Sequence, residues 1–138
     1  MNVVFALIAD HAEPDATGKL NIKGVFDRIQ AFKFPAKHPE LCLVMQFEWP
    51  SHEFGHKKTL RVPMVGPGGK EIAALEGSMV IGLVDKAKGG PPKVRLNQIV
   101  PFKDLVFPQP GDYAFHIIVQ GETKTTVPLE VSKLEPPT

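Results

Sequence analysis

Apolar and polar positions alternate along much of this chain. Leu41, Leu43, Met45, Phe47 and Trp49 share one side of a run whose other side carries Gln46 and Glu48. Leu20 and Ile22 alternate with Lys19, Asn21 and Lys23, and Leu60, Val62 and Met64 alternate with Thr59, Arg61 and Pro63. Successive side chains leave a strand on opposite sides, so a period of two predicts strands with one buried and one wet face. The C-terminal third repeats the pattern, with Tyr113, Phe115, Ile117 and Val119 on one strand and Val127, Leu129 and Val131 on its return. A helical period is nowhere sustained. The best helical stretch, Ile72-Ala73-Ala74-Leu75-Glu76, is cut short by Gly77.

Glycine and proline, 12 and 14 of them, punctuate the runs throughout. Gly66-Pro67-Gly68-Gly69, Gly89-Gly90-Pro91-Pro92 and Pro108-Gln109-Pro110-Gly111-Asp112 read as turns. Gln120-Gly121-Glu122-Thr123 offers glycine at the first central position of a two-residue hairpin, where a type II′ turn needs positive φ. Gly24, Gly77 and Gly82 fall inside apparent strands and predict bulges or close backbone approaches. The strands predicted span roughly 2–10, 18–30, 40–49, 56–65, 70–84, 93–107, 112–120 and 123–132. Pro63 and Pro128 lack the N–H that a central strand must donate and point to edges. Edges imply an open architecture. The expectation is an all-β, two-sheet antiparallel β-sandwich of about eight strands, immunoglobulin-like or jelly-roll-like, filling 1–138 as a single domain.

Composition narrows the partners. With 16 basic and 15 acidic residues among 138, the net charge is +1, and no basic arm speaks for nucleic acid or an anionic membrane. The opening run Asn2 to Ala9 has the apolar character of a leader. No positive charge precedes it, and Asp10, His11, Glu13 and Asp15 follow where small residues would stand, so it reads as a buried first strand. A lone cysteine, Cys42, inside an apolar run fits a buried thiol in a reducing cytoplasm.

Several motifs invite chemistry. His52-Glu53-Phe54-Gly55-His56 is a literal H-E-x-x-H, whose zinc chemistry needs a helix to bring two histidines four apart onto one face. Pro50-Ser51 before it and Gly55 within it oppose a helix, and in an extended chain residues four apart stand roughly 13 Å from each other. His52 and His56 are the candidate metal ligands, and a polar hairpin loop is the plainer reading. Asp10, Glu13 and Asp15 gather carboxylates in one stretch, a calcium loop if Asp85 or Asp112 joins them and a solvated turn if not. Gly68-Gly69-Lys70-Glu71 lacks the Ser or Thr and the helix of a phosphate loop, and Ser78 lacks the glycine spacing of a nucleophile elbow. Lys86-Ala87-Lys88 reads as a solvated basic loop, and His38 and His116 as surface or satisfied histidines. Trp49, the only tryptophan, is a candidate stacking platform for a ligand, although its phase with Phe47 and Met45 favours a core or rim position. No cofactor is expected.

The chain resembles a family of small, mostly bacterial proteins known as a domain of unknown function. The resemblance lies in the opening strand ending at Ala9-Asp10, and in Gly18-Lys19-Leu20-Asn21-Ile22-Lys23-Gly24-Val25-Phe26-Asp27-Arg28-Ile29. It continues through Pro35, His38-Pro39 and a strand resuming at His56, then Phe107-Pro108-Gln109-Pro110-Gly111-Asp112-Tyr113-Ala114-Phe115 and Pro128-Leu129-Glu130-Val131. It implies a compact β-sandwich, a hairpin around 53–70, and no catalytic residue. Three functions compete. The first is a non-enzymatic protein-interaction or self-assembling module, a homo-oligomer or docked on a protein partner. It is motivated by Val4, Ile8, Val44, Val80 and Ile118, apolar residues opposite the inward sets. The second is a carbohydrate or small-ligand-binding sandwich built on Trp49, and the third a metal-dependent hydrolase using His52, Glu53 and His56.

Overall fold

The alternating runs become strands of two packed sheets. In this computed structural model residues 1–82 and 93–135 are described. Among the described residues nine strands follow one another as β1 (Asn2–Pro14), β2 (Leu20–Val25), β3 (Arg28–Ala31), β4 (Ala36–Pro50), β5 (Lys58–Val65), β6 (Glu71–Met79), β7 (Lys93–Phe107), β8 (Gly111–Val119) and β9 (Glu122–Lys133). A four-stranded sheet runs β2-β1-β4-β7 and a five-stranded sheet β3-β9-β8-β5-β6. The only helical residues among those described are a single 3-10 turn at Ser51–Glu53. The stretch 72–76, the best helical candidate, lies within β6, paired with β5 from Ala73 to Glu76.

Between the sheets the expected inward sets meet. Leu41, Leu43, Met45, Phe47 and Trp49 from β4 are fully buried, against Tyr113, Phe115 and Ile117 from β8 and Leu129 and Val131 from β9. Phe107 and Tyr113 pack edge-on at 5.0 Å, and Phe102 and Phe115 tilt together at the same distance. Aromatic pairs at such spacing add to the burial that holds the sheets together. The Tyr113 hydroxyl donates to the Gln109 carbonyl at 2.6 Å, so the buried ring also pins the turn before its own strand.

Four expectations need correction. The stretch 18–30 is not one strand. It breaks at Phe26-Asp27, where the chain leaves the four-stranded sheet as β2 and enters the five-stranded one as β3. That crossing makes β3 run parallel to β9, from Arg28↔Glu130 to Ala31↔Lys133, the one parallel pairing among the described residues. Second, Pro63 is interior, with β5 flanked by β8 and β6. Its missing N–H is accommodated because the β5–β8 register skips from Arg61↔Ile118 to Met64↔Phe115. Pro128 does sit where β9 has no second neighbour among the described residues, below the start of β3.

Third, the hairpin is shifted by one residue. Val119 pairs with Glu122, which makes Gln120 and Gly121 the central pair, with φ of 52° and 78°. Positive φ at both is the signature of a type I′ rather than a type II′ turn. Gln120 tolerates the left-handed region because Thr59 clamps it. The Thr59 N–H and hydroxyl donate to its side-chain oxygen at 2.8 and 2.9 Å, and its own N–H donates to the Thr59 carbonyl at 3.0 Å. Fourth, of the glycines inside apparent strands, Gly24 alone marks a close approach. At φ 69° a Cβ there would lie 2.3 Å from Asp10 Oδ2, while nothing stands within 4 Å of that position on Gly77 or Gly82.

Candidate functional site

The H-E-x-x-H stretch folds as a plug at one end of the sandwich. Pro50 ends β4, Ser51–Glu53 make the 3-10 turn, and Phe54 drops into the core at 4% exposure. Gly55, at φ 81°, then donates to the Ile81 carbonyl. The α-helix that would align His52 with His56 is absent, and both side chains are exposed. Glu53 is engaged elsewhere. One carboxylate oxygen accepts from the Met1 amino group at 2.8 Å and the other from Lys58 Nζ. Burial on its own would push this carboxyl up, but the hydrogen bonds and positive charges of Lys58 and the amino group hold it down at about 2. A carboxylate so stabilised is a poor acceptor for a water proton.

Trp49 stands behind this plug, fully buried, with Lys58 Nζ 5.5 Å from its ring centroid. Its indole Nε1 has no hydrogen-bond partner among the described residues. The ring is a core residue with no free face on which a sugar would stack.

The acidic stretch is dispersed. Asp10 packs over Gly24, Glu13 lies 3.7 Å from His11, and Asp15 folds back on its own turn. The Asp15 oxygen accepts from the Thr17 N–H, the Thr17 hydroxyl and the Lys19 N–H, which hold its pKa below the ordinary value. Among the described residues no three His, Cys, Asp or Glu side chains come together as a metal would require. Asp85, Lys86-Ala87-Lys88 and the Gly89-Gly90-Pro91-Pro92 turn lie outside the described residues. His116 is satisfied on the sheet surface, its Nδ1 2.9 Å from the Thr126 hydroxyl, and His38 stacks loosely on Phe26 at 6.0 Å.

What the structure does assemble is apolar. On the outward side of the four-stranded sheet, Ala12, Cys42 and Val44 form a second buried cluster, with Phe5, Leu7, Leu20, Ile22 and Ile99 packed around it. Cross-strand partners share a face, so the register places Leu7, Val44 and Ile99 in one row and Ala9, Cys42 and Pro101 in the next. Val25, opposite Ala9, extends that second row and is 61% exposed. Burial pushes the Cys42 thiol up, away from the reactive thiolate. Strand β4 is therefore buried on both sides across Leu41 to Met45.

Only part of this face was visible in the alternation. Val44 is indeed an outward apolar residue and Val4 is exposed, while Val80, just past β6, and Ile118, opposite Arg61, belong to the five-stranded sheet. Ile8, however, points into the main core. The register of β1 shifts between Val3 and Phe5, leaving Val4 as an extra residue. One inserted residue inverts the phase, so Val3 faces inward above the bulge while Phe5 and Leu7 face outward below it.

Residues 4–132 match the family described as "Family of unknown function (DUF6941)". The chain belongs to that family. No curated protein matches it. Among the described residues no helix is long and apolar enough to cross a membrane.

Proposed function

We propose that this chain is a non-enzymatic binding module that docks through the outward face of its four-stranded sheet. The observation that carries the reading is the second apolar cluster, Ala12, Cys42 and Val44 ringed by Phe5, Leu7, Ile22 and Ile99. An antiparallel sheet in a two-layer sandwich ordinarily turns a polar face to water. Around that buried centre Phe5, Leu7 and Ile99 are only half-buried and Val25 and Pro101 are exposed, and accessible apolar surface of this kind is a usual mark of an interaction site. The competing readings draw less support. A stacking platform wants an open aromatic face, and Trp49 is buried. A hydrolytic water wants a free carboxylate, and both oxygens of Glu53 are taken.

Photoreactive side chains placed at Ile99 and, separately, at His116 test the assignment in the native host. Ile99 should give a discrete cross-linked protein product and His116 none. Equal labelling from both positions, or none from either, removes the reading.

A further inference from the structure

Most free strand edges of this sandwich are blunted. The two sheets end in β2 and β7 and in β3 and β6. Strand β3 has four residues, β2 passes through Gly24 at positive φ, and β7 is interrupted by Pro101 and by Asp104 at φ 54°. The stretches of β1 and β9 without an outer neighbour carry the Val4 bulge and Pro128. Short edges, bulges, prolines and lysines each hinder a further strand from adding. Strand β6 has none of them between Ala73 and Met79, where it pairs with β5 without a break and no φ is positive. Among the described residues nothing pairs with its far side. The core is also uncovered beneath this edge. Cross-strand partners share a face, so Ala73, Leu75 and Gly77 point inward with Met64, Val62 and Leu60. Leu75 is nevertheless 39% exposed, and nothing stands within 4 Å of a Cβ position on Gly77. Both border an open cleft of about 240 Å³ between β6 and residues 98–101 of β7.

We propose that β6 pairs edge to edge with β6 of a second copy of this chain, antiparallel about a two-fold axis normal to the sheet at Leu75. Two five-stranded sheets then continue as one of ten. The contact uses a different surface from the face proposed above, and neither depends on the other. Strand β6 is its own complement. About that axis Leu75 meets its counterpart, Ala73 meets the glycine at position 77, and Ala74 meets the glutamate at position 76. The inward row of each copy stays inward, so the two clefts join and the Leu75 side chains cover one another across them. On the outward side Glu76, held by Arg61 Nε at 3.1 Å, lies opposite an alanine rather than a charge. The neighbouring registers are worse. An axis at Glu76 opposes two glutamates, and like charges directly opposite each other destabilise a strand pair. An axis at Ala74 leaves only residues 73–75 paired within the regular stretch, against 73–77 for the axis at Leu75. Small side chains on either side of Leu75 let the two backbones approach, and main-chain hydrogen bonds supply the affinity, as in strand addition generally. So short a ladder buries little area, so the pairing is weak and dynamic.

Sedimentation equilibrium of the full chain, from about 5 to about 500 μM, reads the outcome. The average mass should climb from 15.1 kDa towards twice that value. Two substitutions at Ala74, which is exposed on the outward side opposite Pro63, should then move the dissociation constant in opposite directions. Ala74→Glu sets a glutamate against Glu76 of the other copy and should weaken the pairing. Ala74→Lys sets a lysine there and should tighten it. Each change acts at two symmetric positions, so each shift should be roughly three- to tenfold. A misfolded variant cannot pair more tightly, so the lysine arm separates lost pairing from lost structure. A wild-type mass constant at 15.1 kDa overturns the proposal. So does a rise that neither substitution changes, which would place the contact on another surface. Weakening by both substitutions overturns the axis at Leu75, because a lysine then acts only as a block on the edge.

Discussion

The two sheets treat their outward faces differently. On the five-stranded sheet the outward side carries Ile118 and Pro63 but is dominated by polar pairs: Arg61 bridges Glu71 and Glu76, Arg28 reaches Glu130, and His116 meets Thr126. On the four-stranded sheet the same topological position is apolar, and its centre, Val44, is as inaccessible as the main core. A face stabilised by exposed ion pairs is largely indifferent to substitution, because water and salt already compete for those charges. A face organised around buried methyl groups is not. One sheet of this sandwich therefore has a solvated back, and the other has a back built like an interior.

The sharpest way to break that contrast is a charge at the centre of each face. Val44→Asp puts an unpaired carboxylate among Cys42, Leu7 and Ile99 and should cost about 3–5 kcal/mol, enough to unfold a marginal domain. His116→Asp, outward on the central strand of the other sheet, should cost under about 1 kcal/mol. Urea denaturation of the two variants side by side measures both. Equal losses would mean that the faces are not different in kind.

How much of this was legible depends on whether the signal is local. The inward rows of β4, β8 and β9 follow from alternation alone, since each such strand has one core to face. The crossing at Phe26-Asp27 has no such signature, because 18–30 reads as one uninterrupted run and only the remote β9 draws its second half away. The hairpin register depends on Thr59, distant in sequence, holding Gln120 at positive φ. The outward apolar face was half visible: Cys42 and Val44 are out-of-phase apolar residues in the sequence. The contribution of Phe5 and Leu7 was hidden by a single bulge residue, Val4. The H-E-x-x-H stretch departs from the motif's helix for a local reason, the three-residue turn, and Glu53 is engaged for one no motif encodes, its capture by Lys58 and the amino group of Met1.

That capture offers a second, smaller test, because it sets a largely buried ion pair at the end of the sandwich. The Glu53 carboxyl is held at about 2 against an ordinary value of 4.5, so its folded pKa is depressed. Its contribution is complete above pH 4.5 and is lost as pH falls through that value towards 2, as the carboxylate protonates and releases Lys58. Glu53→Gln should cost about 2 kcal/mol at neutral pH and flatten this part of the acid-stability curve. A variant whose acid profile superimposes on the wild type would show that the pair at the sandwich end does no more than the exposed pairs of the five-stranded sheet.

The smallest expected effect is on the polar face itself. Arg61 joins Glu71 and Glu76, and these contacts raise its pKa, which would ordinarily suggest a stabilising network. Yet its side chain is 38% exposed and Glu76 is 72% exposed, so the three charges are screened and their order is purchased with side-chain entropy. Arg61→Met keeps the stem that covers β5 while deleting the charge. Its denaturation midpoint should coincide with that of the wild type, and 1 M sodium chloride should move neither. If the midpoint instead drops as far as it does in Glu53→Gln, the ion pairs of this face are structural. The two outward surfaces would then differ in chemistry but not in how much stability they carry.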